Sequence, residues 1–197
     1  MSTLEARTAI ADGVVEEAVT FPVGGSALRG NAAFPADPAA AATGVVFMHG
    51  WSGYRDGPHG LLTFLARRLA AAGHVTLRFD ARGRGESEGD GLAASLVTMA
   101  DDVAAASEWL VARHRLRRLV YLGMCSGGNV VIGCLPRLPK ASGLVLLSVY
   151  PFSDGDTFGR DVHRTWHYAA VYLRKACRGE TWGRLFRGDV QIGRAHV

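Results

Sequence analysis

Cysteine is scarce in this chain of 197 residues, which has only Cys125, Cys134 and Cys177. An odd count with no C-x-x-C spacing argues against both a disulfide framework and a zinc site. Cys134 and Cys177 are most simply core residues. Long apolar runs are missing too. No window reaches the roughly 18 consecutive apolar residues of a membrane helix, and the polar start from Met1 to Arg7 lacks the apolar stretch of an export signal. A cytoplasmic protein without a membrane span is the expectation. The net charge of +4 comes from arginines spread along the chain. Without a clustered basic stripe or interleaved aromatics, no nucleic-acid partner is expected. A dinucleotide fingerprint is also absent: Gly83 and Gly85 would need a third glycine where Glu88 stands.

What is present suits one sizeable core, with 48% hydrophobic and 20% charged residues. Val14 to Val23 and Ala27 to Phe34 read as strands joined at Gly24, Gly25 and Ser26, an antiparallel entry to a sheet. Gly44 to Met48 is a short apolar run of the kind found in buried parallel strands. Pro58 to Gly73 reads as a helix with Leu61, Leu62, Leu65, Leu69 and Ala72 on one face and Arg67 and Arg68 outside. Strand His74 to Phe79, helix Ala93 to His114 with Leu96, Met99, Val103, Ala106 and Leu110 inward, and strand Gly143 to Val149 complete the pattern. Alternating strands and helices predict right-handed crossovers and a mostly parallel sheet with helices on both faces.

Between the strand run Leu119 to Leu122 and a helix over Asn129 to Leu135 lies Gly123, Met124, Cys125, Ser126, Gly127 and Gly128. A residue at the tip of a strand-to-helix turn is forced into a strained conformation, and the positions two before and two after it must be small. Gly123 and Gly127 hold those positions and flank Cys125 symmetrically. The alternative nucleophile, Ser126, is off that symmetry centre; its backbone N–H is placed to stabilise an oxyanion. A buried cysteine beside a tight turn is the bland alternative for the motif taken alone.

The glycine-flanked nucleophile resembles the elbow of α/β-hydrolases, with cysteine where most of them carry serine, as in dienelactone hydrolase-like enzymes. Two further stretches carry the resemblance. His49 and Gly50 end a strand as the third strand of that family does, which implies that the backbone N–H of Trp51 is the second oxyanion donor. His49 itself is better read as a structural histidine bonding loop backbone. Asp80 to Gly89 is similar to the D-x-R-G-x-G-x-S loop after the family's fourth strand and reads as an ordered turn. The likeness is nearest to serine-aminopeptidase-like and exosortase-system-associated hydrolases, over about residues 14 to 190. It implies an α/β-hydrolase core over 1–152 with six strands and the start of a helical lid over 153–190. A membrane-surface role for the arginine-rich helices of that segment is the runner-up.

The implied activity is hydrolysis of an ester or thioester of a small acyl substrate, or acyl transfer, through acyl-Cys125. Neither a cofactor nor a metal is called for, because a thiolate and backbone dipoles suffice. A non-catalytic binding protein on the same fold is the alternative. In this fold the acid and the histidine follow the nucleophile along the chain, and His59, His74, His114, His163 and His167 do not stand where the family keeps its base. His163 and His167 are one helical turn apart, with no third ligand evident. Residues 191–197 back-translate to a common short-read sequencing adapter, so they are expected to be artefactual. The expected gene continues past Val190, and the chain as given is expected to be truncated and inactive.

Overall fold

The computed structural model describes residues 7–10 and 13–149, and the lid assigned to 153–190, with Cys177, His163 and His167, lies outside them. Seven strands form one sheet in the order β1-β2-β3-β5-β4-β6-β7. They are β1 (Arg7–Ala9), β2 (Val15–Val23), β3 (Ser26–Phe34), β4 (Thr43–Met48), β5 (Val75–Phe79), β6 (Arg118–Met124) and β7 (Ala141–Leu147). The sheet is mixed. β1, β2 and β3 run antiparallel and β3 joins β5 antiparallel, whereas β5, β4, β6 and β7 are parallel neighbours. Parallel neighbours need crossovers, and here helices supply them: α1 (Leu61–Ala71), α2 (Leu96–Arg113) and α3 (Ser126–Cys134).

Alternation along β4 divides the core between the two faces. Val45 and Phe47 pack with Leu62 and Ala66 of α1 and with Leu122. Val46 and Met48 face the other way, into a larger cluster holding Met99, Val103 and Ala106 of α2 and Val130 and Val131 of α3. Helices therefore cover both faces. This is the α/β-hydrolase arrangement the sequence pointed to.

Several boundaries differ from the sequence reading. A three-residue strand, β1, precedes the six expected. The α2 helix begins at Leu96 and not at Ala93, because Ser95 caps it: the Ser95 side chain accepts from the Thr98 N–H, and Thr98 returns the bond to the Ser95 N–H. The α1 stripe is rotated relative to expectation. Leu62, Ala66 and Ala70 are buried, whereas Leu61 and Ala72 are exposed. Arg67 is not purely outside either; its Nε donates to Glu16 Oε2 at 2.9 Å. The α3 helix starts at Ser126, three residues before the expected Asn129, and β7 stops at Leu147.

Candidate active site

Strand β6 delivers the chain to Cys125, whose backbone angles are φ 53° and ψ −127°. That is the left-handed side of the map, costly for a residue with a Cβ and retained only where the surroundings over-determine it. Two glycines do so. A Cβ on Gly123 would lie 2.7 Å from the Gly128 nitrogen, and one on Gly127 would lie 2.5 Å from the Met48 carbonyl oxygen. The turn can therefore close only with bare backbone at these positions. On the Cys125 side, its N–H donates to Leu147 O at 2.8 Å, tying the tip to the end of β7. The thiol is exposed to solvent, unlike that of buried Cys134, whose thiol is pushed up by desolvation first of all.

Facing the elbow is the turn after β4. A Cβ on Gly50 would stand 3.3 Å from Cys125 Cβ, so the two loops touch backbone to side chain. Between them opens a cavity of about 350 Å³ whose walls include Trp51, Tyr54, Pro58, Met124, Cys125 and Ser126. Among the described residues, none that line it is an acid, a lysine or an arginine. Trp51 and Ser126 are brought together as the sequence suggested, in a way the sequence did not show: the Trp51 N–H donates to Ser126 Oγ at 2.7 Å. The sequence expectation does not include the hydroxyl as an acceptor for this N–H. With donor and acceptor 75 positions apart, no local pattern could have revealed the bond.

His49 is structural. It is 1% exposed, its Nε2 accepts from the Ala81 N–H at 3.0 Å, and Nδ1 is 2.7 Å from Gly50 O. An Nε2 that accepts leaves the proton on Nδ1, which donates to that carbonyl. Both nitrogens are thus engaged, and among the described residues no histidine hydrogen-bonds Cys125. Burial is the main cause that pushes the His49 pKa below its ordinary 6.5, opposed by the Gly50 carbonyl and Asp80 and aided by Arg84. The sign of the stability effect follows. Above pH 6.5 both folded and unfolded forms are neutral and stability is complete; below it the unfolded chain takes up a proton that the folded chain resists, so stability falls until the depressed folded value is reached. The urea midpoint should drop between pH 7.5 and 5, and His49→Gln should flatten that slope. An unchanged slope in the variant would place the titration elsewhere.

Asp80 to Gly89 is an ordered turn. The carboxylate of fully buried Asp80 accepts from the backbone N–H groups of Arg55 at 2.6 Å and Glu86 at 3.0 Å and from the Arg55 guanidinium. Ser87 Oγ donates to Asp80 O at 2.6 Å. A second polar cluster went unseen in the sequence. Arg78, 1% exposed, donates to Asp56, Thr63 and Glu16, a charge buried with its partners as its desolvation requires. These bonds hold the 55–63 segment, which forms one wall of the cavity, against β2 and β5.

The family described as Serine aminopeptidase, S33 (Hydrolase_4) matches residues 39–165. No curated protein matches the sequence. Solved structures with the same fold include an α/β serine hydrolase without lid from Xanthomonas campestris, at 25% identity over 71% of this chain and 65% of that one, with a TM-score of 0.59. An esterase of Pyrococcus furiosus is similar at 20% identity, covering 75% of this chain and 55% of that chain, with a TM-score of 0.60. An esterase from Exiguobacterium antarcticum gives 22% identity, 66% and 45% coverage, and a TM-score of 0.53. The chain spans about half the length of the first solved structures it matches.

Proposed function

Because the chain belongs to the serine aminopeptidase-like family of α/β-hydrolases, we propose that it cleaves an ester or thioester of a small acyl substrate through an acyl-Cys125 intermediate. The observation that carries this reading is the strained, solvent-exposed cysteine at the strand-to-helix tip, opposite the Trp51 turn. In the proposed reaction the Cys125 thiolate attacks the carbonyl carbon, a C–S bond forms, and the carbonyl electron pair moves onto oxygen. Collapse of that intermediate expels the alkoxide or thiolate leaving group, and water then releases the acid and returns the thiol.

Charge on the tetrahedral oxygen needs donors, and the backbone N–H groups of Ser126 and Trp51 are assigned to it. Ser126 is the first residue of α3, where an N–H has no acceptor within the helix. Trp51 donates to Ser126 Oγ and would exchange that oxygen for the acyl oxygen. A donor of this kind is worth about 2.7–4 kcal/mol. The proposal extends to a cytoplasmic setting and to a helical lid over 153–190.

Acylation requires only the thiolate and the donors, so it can be tested apart from deacylation. Brief incubation with p-nitrophenyl butyrate, acid quenching and peptide mass analysis should find the butyryl group on Cys125. Acylation of Ser126 instead, or none on either residue, would overturn the assignment.

A further inference from the structure

The arginines of the 55 and 80–89 loops differ in how they are satisfied. Arg55 is bound to Asp80 and, through Nη2, to Glu86 at 2.6 Å. Arg82 donates to Asp102 from its backbone N–H at 2.8 Å and from Nε at 2.6 Å. Arg84, on the same loop, has no carboxylate partner among the described residues. The neighbouring acids are engaged elsewhere: Glu86 with Arg55, Glu88 with the Ala27 N–H, and Asp90 with the Leu92 N–H. Arg84 Nε is buried with no hydrogen-bond partner. The guanidinium lies over the Trp51 ring, 5.2 Å from its centroid, and Trp51 is a wall of the cavity that holds Cys125. Its charge also reaches His49 on that wall.

We propose that Arg84 selects substrates whose acyl part carries a carboxylate, such as the monoesters or monothioesters of short dicarboxylic acids. This rests on Cys125 being the nucleophile. Among the described residues, those lining the cavity supply no lysine or arginine, so an anion there needs Arg84, over the Trp51 wall, to offset its desolvation. The cation–π contact with the indole holds the guanidinium over Trp51, and its terminal N–H groups can donate to a carboxylate in a forked pair.

Iodoacetate and iodoacetamide deliver the same alkylating carbon and differ in the carboxylate. Followed peptide by peptide, the ratio of their rate constants at Cys125 should fall about tenfold on Arg84→Gln, the size of one opposite charge at a partly solvated rim. The iodoacetamide rate should stay within about twofold, Arg84→Lys should recover part of the ratio, and 1 M NaCl, where the screening length is about 3 Å, should shrink it in the parent. An unchanged ratio, or equal changes in both rates, would overturn the proposal. If neither reagent modifies Cys125, the nucleophile assignment is what fails, and Arg84 is then judged without the thiol. Trichloroacetate should quench the fluorescence lost in Trp51→Phe more strongly than acrylamide does, and Arg84→Gln should abolish that preference. Its persistence in the variant would overturn the proposal.

Discussion

Replacing Cys125 by alanine should reduce the stoichiometric release of p-nitrophenol from p-nitrophenyl butyrate by at least about 10³-fold, to a rate set by the donors and binding alone. Alanine offers no nucleophile, and the turn that presents it is held by the backbone contacts of Gly123 and Gly127, which the substitution leaves in place. Ser126→Ala is the informative partner. Its hydroxyl receives the Trp51 N–H, so its removal takes an acceptor away from a group proposed to serve the oxyanion. The backbone N–H of residue 126 is unaffected. The burst rate should therefore change by less than the roughly 10²-fold loss that follows deletion of an oxyanion donor. A burst that survives Cys125→Ala and disappears in Ser126→Ala would transfer the nucleophile to the serine.

The contrast between these neighbours marks how far the sequence could be read. Cys125 was legible because its constraint is local: a strained tip demands small residues two positions away on either side, and both lie within the same five-residue window. The alternation of strands and helices was legible for a similar reason, since β4 is a short apolar run bounded by turns. Contacts set by the sheet were not. Arg78 meets Glu16 across 62 positions because β3 inserts between β2 and β5 in the sheet, and nothing in the strand His74 to Phe79 announces a buried guanidinium. The α1 stripe was misread at its ends. Leu61 and Ala72 fit a 3–4 spacing on paper, but Leu61 is the first helical residue and Ala72 falls beyond the last, at the C-cap. The Ser126 hydroxyl as an acceptor was not legible because its donor, the Trp51 N–H, lies on another loop 75 positions away.

The α3 helix contains two glycines whose substitution should have opposite effects. A Cβ on Gly127 would sit 2.5 Å from the Met48 carbonyl oxygen and still nearer that of His49. Both are main-chain atoms at the end of β4, in the middle of the parallel sheet, so neither can rotate aside as a flexible side chain would. Gly127→Val should cost about 3 kcal/mol or more, since overpacking against backbone is relieved only by shifting the helix or the strand. Either shift would also pull the Trp51 turn away from Cys125. Six residues further along, Gly133 is exposed and a Cβ there meets nothing within 4 Å. Gly133→Ala replaces the least favourable ordinary helix residue by the most favourable one and should stabilise the protein by up to about 1 kcal/mol. Urea melts of the two variants beside the parent measure both. Equal midpoints for Gly127→Val and the parent would mean that α3 does not press on β4 as described, and the steric account of the elbow would fall with it.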